Sequence, residues 1–500
     1  MSKQELFCEK NGKLHVGHTI LTGFAFLASS IAWAIYDPYI TKILNRLLNE
    51  SAWITSLSQR LNDAFPVLAE FAATQGQDVN TAGGGITLVP LFIGIIMTFD
   101  NIFGVIFQPT FGKLSDRCHS KLGKRRPFIV YGAPVSAVLF AIIPWVALKS
   151  TLPVTMLFII LFVFSMSLWR APAVALMPAL TPPALRSEGN AIINLMGGVG
   201  SVIGMVAGTV VGAVYMAITG VPEITIENEQ STTFPYVFLV GGIVMVIGML
   251  VVRIFVKEPS SKLEYVSERN QAMDEKARLE AEKEAKKAEK KARKEQKLSK
   301  GEKKSLVCML SGLFFLFCGT NAITTFFALF AAEELGKTTG EATIMTTLFA
   351  ICSAVAAIPA GKMGKKLGRK KTILIGLVIF MAVFLMYVLT GSMALIWVAL
   401  VFGGFANMLI TVNTLPLVLD IGGIDKVGTF TGYYYTATFS AQIASPIIYG
   451  IFRMLTGTYL SLFIYSPVMF ILSIFFILFV KHGEAVPDEI VKQIEEENND

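Results

Sequence analysis

Apolar runs of 18 or more residues recur along the whole chain. They fall at about 19–40, 86–111, 127–148, 153–178, 188–218 and 235–256, then at 305–331, 341–361, 372–390, 394–419, 427–453 and 458–480. Each is long enough to cross the roughly 30 Å hydrocarbon layer as a helix. The pattern predicts an all-α membrane protein of about twelve transmembrane helices in two pseudo-symmetric bundles of six. Residues 1–18 form a polar N-terminal arm, 19–256 the first bundle, 257–304 a linker, 305–480 the second bundle and 481–500 an acidic tail. Residues 41–85 are too polar to span. Leu44, Leu47, Leu48, Trp53, Ile54, Leu57 and Leu61 recur there at helical spacing, which predicts an amphipathic outer lid at the interface. The linker is rich in Glu, Lys, Ala and Arg with almost no apolar stripe, so it reads as a solvated helix joining the halves.

The loops fix an orientation. Gln108–Phe128, reading QPTFGKLSDRCHSKLGKRRPF, joins the second and third spans as a short hydrophilic turn. Lys113, Arg117, Lys121, Lys124, Arg125 and Arg126 crowd it, so it is expected on the cytoplasmic side, and both termini with it. Gly112 and Gly123 permit tight turns, and Pro127 suits the first turn of the next helix. Asp116 can accept from a helix N-terminus or pair with an Arg. Gly112, Asp116, Arg117, Gly123, Arg125 and Arg126 are therefore candidates for a cytoplasmic gate or latch. Gly361–Lys371, GKMGKKLGRKK, holds the same place in the second half. Two similar halves are transporter architecture. The loops that end opposite carry acids instead: Glu223, Glu227 and Glu229 in one, Glu333, Glu334 and Glu341 in another.

Composition agrees. The 500 residues are 53% hydrophobic and 16% charged, against about 25% charged in a soluble domain. The net charge of +7 sits in loops that positive-inside sorting accounts for, so no nucleic-acid partner is expected. Five cysteines lack metal-ligand spacing, and no metal or cofactor is expected. No Walker A sequence, metalloprotease motif or nucleophile elbow is present, so ATP-driven pumping and hydrolysis lack support and a transporter is expected in place of an enzyme.

A few polar residues interrupt the spans. Asp100 lies about 16 Å of helix rise from the inner end of the second span, where a carboxylate faces a cavity, a partner or an ion path. Coupling-ion site and structural ion pair both fit it. Arg170, about 12 Å from the inner end of the fourth span, is the candidate partner or a sugar contact. Asp37, near the outer end of the first span beside Pro38, fits an interfacial cap or a second coupling site. Asn194, Asn321, Asn413, Tyr434 and Gln442 are candidate substrate contacts: amides, hydroxyls and aromatic faces suit a polyhydroxylated neutral ligand. Interhelical hydrogen bonding is the alternative for each. No span carries a His, so carboxylates are left for proton coupling.

Gln108–Ile129 resembles the loop between spans two and three of the sucrose-transporter type, within the glycoside–pentoside–hexuronide:cation symporters of the major facilitator superfamily. MTFDN at Met97–Asn101, LWRAPAVALMP at Leu168–Pro178 and RSEGNAIINLMGGVGS at Arg186–Ser201 resemble a bacterial branch of that group. So do GTFTGYYY at Gly428–Tyr435 and SAQIASP at Ser440–Pro446. The resemblance implies a monomeric plasma-membrane carrier that takes up a disaccharide or glucoside with protons by alternating access. Sodium coupling, a facilitator or exporter of another solute, and a non-transporting sugar sensor are the alternatives. One departure stands out: after Pro178 the family often carries an acid, and this chain has Ala179.

Overall fold

The long apolar runs become long helices because a backbone in lipid can satisfy its polar groups only within itself. The computed structural model describes residues 6–75, 85–118, 120–182, 185–258, 299–422 and 427–482. Most of the charged linker and the acidic tail lie outside the described residues. Two short strands, β1 (Glu9–Lys10) and β2 (Lys13–Leu14), open the chain as an antiparallel hairpin. Asn11 and Gly12 both take positive φ, as a two-residue hairpin turn requires.

The first half contains α1 (Val16–Asn49), α2 (Ala52–Ala64), α3 (Pro66–Gln75), α4 (Val89–Met97), α5 (Phe99–Asp116) and α6 (Arg126–Lys149). It continues with α7 (Leu152–Leu180), α8 (Arg186–Thr219), the single-turn α9 (Glu229–Thr232) and α10 (Phe234–Phe255). The second half contains α11 (Lys300–Leu335), α12 (Thr339–Leu367), α13 (Arg369–Thr390), α14 (Met393–Gly422), α15 (Val427–Thr456) and α16 (Leu462–Leu478). Among the described residues, eleven spans are long and apolar enough to cross a membrane, α4 and α5 counting as one. The remaining long helix, α15, carries Tyr433, Tyr434, Tyr435, Thr436, Thr438, Ser440 and Gln442 along its 30 residues, which lowers its hydropathy.

Three boundaries differ from the sequence expectation. The first span does not stop near residue 40: α1 runs on to Asn49, because Ile40, Ile43, Leu44, Leu47 and Leu48 form a buried stripe. Only α2 and α3 remain of the expected lid, with Ile54 inward and Trp53, Phe65, Val67 and Phe71 outward. The second span is not one helix. Thr98 interrupts it, its hydroxyl donating to the Ile95 carbonyl at 2.6 Å, and α5 restarts at Phe99. Finally, Gln108–Asp116 is the end of α5, so the loop itself is only 117–125 and Gly112 sits inside a helix.

The chain forms two compact units. The first comprises Met1–Tyr36, Ile102–Ala207 and Phe234–Leu298; the second comprises Asp37–Asn101, Gly208–Thr233 and Ser299–Asp500. In the first, Phe162 and Phe238 flank Phe140 with centroids 4.9 and 4.5 Å away. The buried Trp169 indole donates to Ser136, which meets Ser165, so α6 and α7 share a closed polar network. Gly200 and Gly204 lie against the α1 backbone at Leu27 and Ile31, the close approach that small residues allow. In the second unit, Phe330, Phe463, Tyr387, Phe384 and Phe470 form an aromatic core. There α4 packs on α15, with Gly94 against Pro446 and Gly450 against Pro90.

Candidate functional site

The polar residues expected inside the membrane divide between the units. Arg170, half-buried on α7 in the first unit, holds its guanidinium 5.4 Å from the centroid of the Trp33 ring. That cation–π contact keeps a planar cation and an aromatic face together in apolar surroundings. The buried Trp33 Nε1–H has no hydrogen-bond partner among the described residues. Asn194, on α8 in the same unit, is exposed and donates from Nδ2 to the Asn190 carbonyl at 2.9 Å.

Asp37, Asp100, Asn321, Asn413, Tyr434 and Gln442 belong to the second unit, so Asp100 and Arg170 do not share one. Asp100 occupies the first turn of α5, just past the break at Thr98, and its Oδ1 accepts from the Asn101 N–H at 2.7 Å. An acid at that position also suits the helix dipole. Asp37 is not near a helix end, since α1 continues for three more turns beyond it. Asn321 is half-buried on α11, and its buried Nδ2 has no hydrogen-bond partner among the described residues. Gln442 is half-buried on α15.

Two candidates are already engaged. Asn413 is buried on α14 and donates from Nδ2 to the carbonyls of Ala360 (3.2 Å) and Leu409 (2.9 Å). Both amide hydrogens are used, and its side chain fills the space that Gly364 leaves on α12. Tyr434 is buried with its hydroxyl 3.5 Å from Thr414, which ties α15 to α14.

The latch residues do come together, within the first unit. Asp116 at the end of α5 receives Arg125 at 2.7 Å. Arg126, buried, donates to the carbonyls of Leu122 and Arg253, the latter on α10. Gly123 takes a φ of +104°, a left-handed conformation only glycine adopts freely. Arg117, in the turn after α5, is exposed. Gly112, by contrast, has nothing near its missing side chain. The residue at the middle was not anticipated. Glu258, in the first residues after α10, accepts from the backbone N–H of Arg125 and Arg126 at 3.0 and 3.1 Å and so caps α6. Its side chain is 5% exposed.

A second unanticipated carboxylate lies at the opposite end of the spans, the far end. Glu229, in the turn of α9, is 1% exposed. It accepts from the Thr339 N–H at 2.6 Å and from the Thr339 hydroxyl at 2.9 Å, at the start of α12. Lys42 of α1, 7% exposed, stands 3.8 Å away. Gln230 accepts from Arg46 and donates to the Lys42 carbonyl, and Tyr39 of α1 is buried beside them. Burial pushes the Glu229 carboxyl above the usual carboxylate range, against the pull of Lys42 and of the Thr339 hydrogen bonds.

Helical spans in two sequence halves, cationic loops at one end and isolated polar groups within the spans define a secondary transporter of the twelve-helix kind. The family model described as Major Facilitator Superfamily matches residues 19–336 and 309–497, and the chain belongs to that family. It is a transporter and not an enzyme. Solved structures share the fold. The xylose transporter XylE from E. coli, in a partially occluded inward-open conformation, aligns with a TM-score of 0.57 at 14% identity, covering 93% of this chain and 97% of that one. The nucleoside transporter NupG aligns at 0.56 and 14% identity, covering 92% and 100%. A bacterial homologue of the iron transporter ferroportin, in its inward-facing state, aligns at 0.59 and 11% identity, covering 93% and 98%.

Proposed function

We propose that this transporter is a plasma-membrane symporter that takes up a disaccharide or glucoside with protons, both termini lying in the cytoplasm. The observation that carries the reading is the pairing of Arg170 with Trp33 on neighbouring elements of the first unit. A sugar ring offers an apolar face and a row of hydroxyls. An indole face answers the first, and a guanidinium fork with a buried, unpartnered indole N–H answers the second. No phosphate-sized cluster of cations interrupts the spans, which favours a neutral solute. Asp100 carries the coupling charge in this reading: it stands at a helix break inside a span, where protonation removes the penalty of a carboxylate in apolar surroundings.

Proteoliposomes given an inward proton gradient are expected to accumulate labelled sucrose, maltose or a related glucoside uphill. A protonophore should abolish that uptake. Asp100→Asn should lose uphill accumulation yet keep counterflow, which separates coupling from binding. Uptake driven by a sodium gradient alone would replace the ion. Folded protein that moves no glucoside would overturn the substrate.

A further inference from the structure

The geometry points to a gate at the far end whose bolt is Glu229: its carboxylate joins Lys42 of α1 to the N-terminus of α12, and transport requires this junction to break and re-form. The inference rests on the chain being a carrier whose two ends open in turn.

Three features set the cluster apart from an ordinary loop contact. It ties distant parts of the sequence, Glu229 and Thr339 being 110 residues apart, so the ends of first-half helices are held to a second-half helix. It is dry: the Glu229 and Lys42 side chains are both almost fully buried, although Thr225 and Glu227 in the Glu229 loop are exposed. And it is reached by a close approach that no side chain would tolerate. Gly208 of α8 lies directly over the Tyr39 hydroxyl, with the Cα of Gly340 3.1 Å from where its Cβ would be. Thr209 completes the contact by donating to the Gly340 carbonyl at 3.0 Å.

A junction of this composition suits reversible breaking better than permanent cohesion. Apolar side chains of equal volume would hold two helix ends together at least as well, because a buried ion pair repays little of its desolvation. Opened to water, by contrast, Glu229, Lys42 and the Thr339 N–H and hydroxyl are all readily hydrated. The cluster is therefore stable when closed and undemanding when open. The neighbouring pairs Glu333–Arg453, at 3.2 Å, and Glu341–Lys337, at 2.8 Å, lie within the second half and need not separate, whereas the Asn45 amide of α1, which donates to Glu333 at 3.5 Å, parts with the bolt.

The experiment measures the far end directly, without any solute. Spin labels are placed at Thr219→Cys and Ser392→Cys in the full chain, its five native cysteines replaced by serine, in lipid nanodiscs. Thr219 ends α8, Ser392 lies between α13 and α14, and both are exposed and outside the cluster. Double electron–electron resonance then reports the spread of distances. Glu229→Ala orphans Lys42 and two donors of Thr339, and should raise the ratio of long to short distances about tenfold or more. Thr339→Val leaves the backbone bond in place and should raise it about fivefold. If Glu229→Ala does not fold, Thr339→Val alone decides. Unchanged distances in folded variants would make the cluster a fixed brace and overturn the gate. Because no sugar is present, a shift here stands even if no glucoside is transported, and failed sugar uptake leaves the gate intact.

Discussion

Glu258 and Glu229 do the same chemistry at opposite ends of the spans. Each is a nearly buried carboxylate outside the long helices, each accepts from backbone N–H groups at the start of a span, and each has a basic side chain close by. They differ in what they join. Glu258 follows α10 and caps α6, so it binds two helices of one half within the first unit. Glu229 links α1 and α9 to α12, elements on either side of the central linker. Their surroundings differ as well. The Glu258 cap is bordered by Asp116, 59% exposed, whereas Lys42 beside Glu229 is 7% exposed. A charge that braces helices of one sequence half can sit at the edge of water. A charge that must be closed off from water and later returned to it cannot.

That difference is sharpest in Glu258→Ala. Losing the carboxylate leaves two N–H groups at the α6 start without their acceptor and removes the 3.9 Å ion pair with Arg125, which should lower stability by about 2–4 kcal/mol. Thermal unfolding in detergent should show the loss, while the spin-label distances at the far end stay as in the parent. A lengthened far-end distance in this variant would mean that the two carboxylates are not separate devices.

Neither glutamate could be singled out in the sequence, and the reason is the same for both. Glu223, Glu227 and Glu229 look alike in a polar loop, and only Glu229 turns inward, because a helix start from 110 residues away meets it there. Glu258 opens a long run of charged residues in the sequence, and its role is set by the N–H groups of α6 that it accepts from. The spans themselves were legible, since about 20 apolar residues in a row leave one option in lipid. Helix ends were less so. Leu44, Leu47 and Leu48 read as an interfacial stripe until a neighbour buries them. Asn413 and Gln442 show the limit at single polar positions. Both are amides in apolar runs, yet Asn413 spends its donors on two backbone carbonyls.

A smaller effect is expected from pH. Burial raises the Glu229 carboxyl in the closed cluster above its ordinary value of about 4.3. The closed far end thus holds a proton more tightly than an opened, hydrated one. The resulting gain for closure is fully present below the ordinary carboxylate value and is lost as pH rises through the raised one. Facing groups are Lys42 and Tyr39 of α1 and Glu341 of α12, with Arg46 held off by Gln230. Lowering pH from about 8 to about 5 should therefore shift the far-end distances toward the short population a few-fold. In Glu229→Gln the distances should no longer respond to pH over this range; a response of equal size would assign the titration to another group.

The smallest effect is expected at the most conspicuous part of the sequence. Asp116 and Arg125 approach to 2.7 Å, the shortest ion pair of the latch, and the cationic loop around them dominates the reading of the chain. Yet Asp116 is 59% exposed, and water and salt screen such a pair to about 0–1 kcal/mol. Asp116→Asn keeps an acceptor oxygen for Arg125 and should move the unfolding temperature hardly at all at ordinary salt. Glu258 continues to cap α6 in that variant, so the latch end keeps its shape. A loss approaching that of Glu258→Ala would mean that Asp116 is held in a drier setting during the transport cycle than the one seen here. That would make the latch end, too, a junction that closes against water.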